Sequence, residues 1–435
     1  MTQIPRIVIK NGRIIDPATG IDQITDLTLE QGKVVAVGPA NPSPQDTLID
    51  ASQRIVCPGL IDIHVHFREP GQEHKETIAT GAAAAIQGGY TSVCTMPNTN
   101  PTIDDAGRIE FTYNKAKQAN LCNVFPTGAI TQGRQGKELA EIGLMDQAGA
   151  VAFTDDGTAV ACPAMMAKAL AYVAMTGKVL MQHCEDPALG GGAMNAGPLA
   201  AKLGLKGWPR VAEELTIQRD IMINKRMNLK CRYHVQHLTT DGGVELIRQA
   251  RKDDFGKKYI TAEASPHHLL LTEQGCANYD TNYKMNPPLR AQKDIDAIIQ
   301  GIKDGTITLL ATDHAPHTAE EKSAEFEKAP YGIIGLQCAL PLYIKALITP
   351  GHIQWPQLIA MMSTNHAQLC NLKGKGSLAP GADADVTIID PNENWTIDTA
   401  QFKGKTTNCP FHGWQVTGRP TTVIVGGQIK LNRTP

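Results

Sequence analysis

The sequence predicts an α/β protein: a (β/α)8 barrel of the TIM class, with a small β-sandwich domain built from both termini. Three observations carry this. Eight short apolar runs recur through the middle of the 435 residues, segments of helical periodicity separate them, and the two ends share a different, alternating texture. A chain of this length is also too long for one small domain.

At the N-terminus, RIVIKNGRIID, ITDLTLEQGKVVAVG and DTLIDAS read as β segments broken by Asn-Gly and Gln-Gly turns. The eight runs follow: IVCPGLIDIHVHF, YTSVCTMPN, NVFPTGAIT, GAVAFTDDG, KVLMQHCED, RYHVQHLTT, YITAEASPHH and ITLLATDHAPH. Between them, HKETIATGAAAAIQGG, AMMAKALAYVAMTG and GVELIRQARKDD have helical spacing and end in a glycine or a charged stop. The C-terminal region returns to β texture with DADVTIID and TTVIVGGQIKL. Neither end alone could bury a sheet face. Residues 1–55 and 375–435 are therefore expected to form one composite domain beside a barrel over 56–374.

Composition narrows the function. A net charge of -2 argues against a general polyanion binder, so no nucleic-acid partner is expected. No run approaches the ~20 apolar residues that span a bilayer, and MTQIPRIVIKNGRIID does not read as a secretory leader; the expectation is a cytoplasmic protein. Ten cysteines are scattered singly without a C-x-x-C pair, which reads as reduced, mostly buried thiols. A small-molecule enzyme is the class left.

Its chemistry is written at the ends of the runs. His64 and His66 are two residues apart on a strand, so both rings face one side, close enough to share an ion. Two satisfied surface histidines would have the same spacing. The other runs decide between these readings: they end in Asp155-Asp156, His183, His237 and Asp313, and in a TIM barrel the C-terminal strand ends form the catalytic face. Asp155 and Asp156 point opposite ways on a regular strand, so one of the two faces the cluster. His234, three residues before His237, cannot share its direction.

With these motifs in view, the chain resembles the amidohydrolase superfamily, and within it the class I dihydroorotases of bacteria. DIHVHFREPG, TMPNTNP, FTDDG, ASPHHLLLT, KMNPPLR and ATDHAPHT carry the resemblance, which extends over the barrel and both terminal β segments. It implies a zinc-dependent enzyme that cyclises N-carbamoyl-L-aspartate to dihydroorotate, reversibly, in pyrimidine synthesis. Transferred to matching positions, it implies that His64, His66 and Asp313 hold one zinc, His183 and His237 a second, and Asp156 bridges them. Many relatives use a carboxylated lysine as bridge; FTDDG offers an aspartate. Asp313 would also shuttle the proton. Arg68, Asn98 and His317 would take the substrate carboxylate, Asn286 the ring amide edge, and Tyr331 with Gly332 would contact substrate. The resemblance further suggests a homodimer and association with aspartate transcarbamoylase.

His267 and His268 are expected to be structural, because the ligand set is complete without them. The stretch HTAEEKSAEFEKAPYGIIG, polar and then glycine-rich after the eighth run, is expected to be an active-site loop and a mobile lid. Gln337, where many relatives have glutamate, is expected to alter polarity around the site. Three alternatives compete: a dihydropyrimidinase, hydantoinase or allantoinase, expected to carry the lysine bridge; a non-catalytic subunit, expected to have lost metal ligands; and a metal-dependent deaminase, against which the FTDDG bridge and the carboxylate pocket argue.

Overall fold

The computed structural model describes residues 5–433. Five strands open the chain: β1 (Ile7–Asp16), β2 (Ile21–Glu30), β3 (Lys33–Val37), β4 (Thr47–Asp50) and β5 (Ile55–Pro58). Then come β6 (Leu60–Val65), β7 (Tyr90–Thr95), β8 (Asn123–Pro126), β9 (Ala152–Phe153) and β10 (Val179–Gln182), a two-residue ladder of β11 (Met194–Asn195) and β12 (Gly207–Trp208), and β13 (Arg232–Val235), β14 (Ile260–Ala264) and β15 (Leu309–Leu310). The last three are β16 (Val386–Thr396), β17 (Gln415–Val425) and β18 (Gln428–Asn432).

The ends of the chain meet in one eight-stranded sheet, ordered β18-β17-β16-β5-β1-β2-β3, with β4 joined to β1. Its faces enclose their own apolar cluster, including Ile7, Ile14, Leu27, Val56, Val386 and Ile424. Gln31-Gly32 is a hairpin turn, both residues at positive φ. Asn11-Gly12 is not. It is a bulge inside β1, where the register shifts between Ile9 and Gly12. A Cβ on Gly12 would stand 2.5 Å from Val56 Cγ2, so the close approach of β5 demands glycine. The bulge lets β1 pair with β4 through Ile7–Lys10 and with β5 through Arg13 and Ile14.

Each of the eight apolar runs contains a parallel strand: β6-β7-β8 in one sheet and β15-β14-β13-β10-β9 in the other. The first run serves two sheets, because IVCP is β5 of the terminal sheet and LIDIHV is β6. Main-chain hydrogen bonds join the two parallel sheets at both edges. Gly128 N donates to Ala152 O at 3.0 Å and Thr154 N to Gly128 O at 2.9 Å, while His66 N donates to His314 O at 2.9 Å. Strands β6 and β7 are buried along their whole length, which is why their runs are continuously apolar rather than alternating.

Helices follow the strands. Helix 78–87 starts at Thr77, whose side chain caps Thr80 N while Thr80 caps back, and it stops at Gly88. Helices 163–176 and 241–250 match the helical segments read from sequence. The ten cysteines are unpaired, and all but Cys162 are buried. Among the described residues no helix is long and apolar enough to cross a membrane.

Candidate metal centre and substrate cavity

The C-terminal ends of the parallel strands bring six predicted residues together. His64 lies on β6 and His66 just beyond it; Asp156, His183, His237 and Asp313 follow β9, β10, β13 and β15. All six are buried. Two of them lie in the left-handed region: His237 and Asp313 have φ of 30° and 48°, and nearby Arg68 has 59°. Non-glycine residues pay about 1–3 kcal/mol each for such conformations, which the surrounding fold must hold.

The rings are aimed by outer partners. His64 Nδ1 is 2.6 Å from Glu263 Oε1, which turns its Nε2 toward Asp156 Oδ1 at 3.3 Å and Asp313 Oδ1 at 3.5 Å. His66 Nδ1 is 2.9 Å from Asn98 Oδ1, and its Nε2 is 2.9 Å from Asp313 Oδ1 and 3.4 Å from Asp156 Oδ2. His183 Nδ1 is 2.8 Å from His237 Nε2, and these stand 3.6 and 3.7 Å from Asp156 Oδ1.

These donors fit metal ions. Asp156 Oδ1 is buried without a hydrogen-bond partner, yet nitrogens of three histidines surround it at 3.3–3.7 Å. Ligand atoms about 2.0–2.1 Å from a tetrahedral ion stand roughly 3.3 Å apart, so the spacing is that of a ligand shell rather than of direct bonds. Three groups have donor atoms within 4.8 Å of one another: His64, His66 and Asp156; His64, His237 and Asp313; Asp156, His183 and His237. Burial alone would raise the pKa of Asp156 and Asp313, but the imidazoles hold both carboxylates below their usual range.

The neighbouring residues separate cleanly. Asp155 accepts from Ile130 N at 2.8 Å, from Thr131 N at 3.0 Å and from the Thr131 hydroxyl, so its carboxylate is spent on the preceding loop. His234 turns to Thr261 Oγ1 at 2.8 Å and Glu263 Oε2 at 2.9 Å. His267 and His268 are buried, and His268 Nε2 meets Pro287 O at 3.0 Å.

A cavity of about 170 Å³ opens over the cluster, lined by Arg68, Asn98, Asn286, His317, Tyr331 and Gly332 as well as by His66, Asp156, His183, His237 and Asp313. Arg68 Nε donates to Pro316 O at 3.3 Å, and its Nη2 lies 3.4 Å from His317 Nε2. Burial and the Arg68 charge push His317 down to about 3, so this ring is neutral near pH 7 and accepts from Arg68. Burial lowers Arg68 to about 10, which leaves it charged. Tyr331 donates its hydroxyl to Gly192 O at 3.1 Å and offers the cavity its ring. Gly332 has φ 153°, and a Cβ there would stand 2.7 Å from both Ala315 O and His317 Cδ2.

Sequence reading missed Glu263 and Glu185. Glu263 receives His64, His234 and the main-chain N–H of His237. Its signal was a lone glutamate inside the apolar strand YITAEA. Glu185 Oε2 is 3.1 Å from His183 Nε2 and 3.5 Å from Asn286 Nδ2. Gln337 does not approach the site as expected: its Oε1 accepts from Lys403 N at 2.6 Å and lines a separate cavity.

A family model described as Dihydro-orotase-like matches residues 53–242. The dihydroorotase of Acetivibrio thermocellus is 43% identical over 424 residues, covering 97% of this chain and 98% of that protein. That of Trichlorobacter lovleyi is 45% identical over 426 residues, covering 97% and 98%. Among solved structures, the L-hydantoinase (dihydropyrimidinase) from Arthrobacter aurescens superposes with a TM-score of 0.87 at 26% identity, covering 99% of this chain and 96% of that one. On full-length likeness to the curated proteins, this chain belongs to the dihydroorotase family.

Proposed function

We propose that the protein is a zinc-dependent cyclic amidohydrolase that interconverts N-carbamoyl-L-aspartate and (S)-dihydroorotate with loss or gain of water, the third step of de novo pyrimidine synthesis. The observation that carries this reading is the sharing of one cavity by the His/Asp donor cluster and the Arg68–His317 pair. On this reading His64, His66 and Asp313 would hold one ion and His183 and His237 another, with Asp156 as a ligand shared by both. Nitrogen and oxygen donors without thiolate suit catalytic zinc. Bound zinc would polarise the reacting carbonyl and lower the pKa of water.

The chain's own groups do the rest. Asp313 accepts the carbamoyl nitrogen's proton in ring closure and returns it to the ring nitrogen in hydrolysis. Arg68 grips the substrate's α-carboxylate, with neutral His317 fixing the guanidinium and Asn98 offering its amide. Asn286 meets the ring amide, and Tyr331 and Gly332 form a wall. The same reading takes the eight parallel strands as a barrel closed at the two seams, with the terminal segments as its companion β-sandwich domain. A cytoplasmic homodimer, with aspartate transcarbamoylase as a further partner, completes it.

The test is an assay of the metal-reconstituted protein on dihydroorotate, with hydantoin, dihydrouracil and allantoin as competing substrates. Turnover of dihydroorotate is expected; turnover of the competitors alone would sink the assignment. Arg68→Met is expected to raise KM for dihydroorotate about tenfold or more at unchanged zinc content, since a charge-assisted two-pronged contact is lost.

A further inference from the structure

Another cavity, of about 240 Å³, opens at the other end of the parallel strands. Its wall includes Arg232, Arg251, Lys257, Lys258, Tyr259 and Thr261, and no acidic side chain. Topology fixes this placement. Arg232 is the first residue of β13 and Tyr259 directly precedes β14, whereas His237 and Asp313 lie beyond the far ends of β13 and β15. The four cations therefore face away from the metal centre.

Among the described residues, neither guanidinium has a carboxylate partner. Arg232 donates from Nη1 to Asn371 Oδ1 at 2.8 Å and from Nη2 to Gln368 O, and Arg251 donates from Nη1 to Ile260 O; all three acceptors are uncharged. The nearby Asp253 is engaged by Lys225. Both arginines are half-buried, and desolvation lowers their pKa with no carboxylate acting to raise it. Four like charges around a concave, partly desolvated space create a focused positive potential, and an entering anion relieves their mutual repulsion. The remaining guanidinium N–H groups suit the oxygens of a phosphate. Lys258 Nζ lies 5.3 Å from the centre of the Tyr259 ring, which sets an aromatic face beside the cations.

We propose that this cavity binds a phosphate-bearing small molecule at a site separate from the catalytic cavity. The dimensions suit a small phosphate ester or inorganic phosphate rather than a macromolecular surface, and both sources share the same recognition chemistry. Calorimetric titration of the metal-loaded protein with inorganic phosphate and with adenosine 5′-monophosphate separates them. Saturable binding of inorganic phosphate or of adenosine 5′-monophosphate is expected at low ionic strength, and the tighter of the two identifies the source. Lys257→Gln combined with Lys258→Gln, at exposed positions, is expected to weaken that binding about tenfold or more without changing the melting temperature. Arg68→Met, which removes a cation from the catalytic cavity, is expected to leave that affinity unchanged. The proposal is overturned if no saturable binding occurs, or if affinity survives in the lysine variant and disappears in Arg68→Met.

Discussion

At the scale of single residues, the candidate metal centre depends on side chains that lie outside the donor cluster. Glu263 is fully buried, and its carboxylate is held below the usual range: burial opposes the charge, but His64 and His234 outweigh it. Bonded to Glu263, the Nδ1 edge of His64 is occupied and its Nε2 is committed to the donor cluster. Glu263→Gln keeps the shape and loses the charge. We expect it to weaken metal affinity by about 10- to 100-fold, read by competition with a chelator, with activity restored at high metal. The candidate ligands were legible in sequence, apart from the choice between Asp155 and Asp156, because strand alternation and strand-end position marked them. Glu263 was not, because a glutamate in an apolar strand gains meaning only when the imidazoles opposite it are known.

At the scale of elements, the loop after β15 is tied down by two lysines, Lys284 and Lys322. Lys322 Nζ donates to Thr281 O at 2.9 Å and Pro330 O at 3.0 Å, and Lys284 Nζ donates to Glu327 O at 2.9 Å and Ala329 O at 2.7 Å. The short helix 319–322 starts from a Thr318–Glu321 capping box, and Glu321 also meets His317 Nδ1 at 3.2 Å. The loop is thus anchored on the wall that carries His317, Tyr331 and Gly332. Lys322→Met leaves carbonyls without their donor, and we expect a stability loss of about 1–3 kcal/mol with faster proteolysis between residues 318 and 333. Equal cleavage rates in the two proteins would refute the anchoring. The β1 bulge shows the same limit of local reading: Asn-Gly spells a hairpin turn, but the packing of Val56 against Gly12 converts it into a branch point of the sheet.

At the scale of the whole molecule, buried neutral histidines set the acid limit. His366 lies at 0% exposure, with Nδ1 bonded to Ile61 O at 2.5 Å and Nε2 without a partner, so helix 365–369 is locked onto β6. Burial pushes His366 and His267 down to about 4, from an ordinary value of 6.5. As pH falls through 6.5 the unfolded chain takes up these protons first. Their contribution to stability is therefore present above pH 6.5 and is lost as pH falls toward 4. Urea midpoints of metal-free protein are expected to fall through this window, and the fall should be shallower in His366→Gln. An identical slope would assign the loss to other groups.

The sequence by itself determined the class of fold, the eight strands and the positions of the candidate ligands. Periodicity and strand-end placement are local properties, and the residues that bear them are contiguous. Only the tertiary structure decided which of Asp155 and Asp156 meets the histidines, which acids aim their rings, how the first apolar run divides between two sheets, and where four cations line one cavity. Those outcomes rest on contacts between segments far apart in the chain, such as Glu263 with His64 and Arg232 with Asn371, whose energies depend on distance and burial.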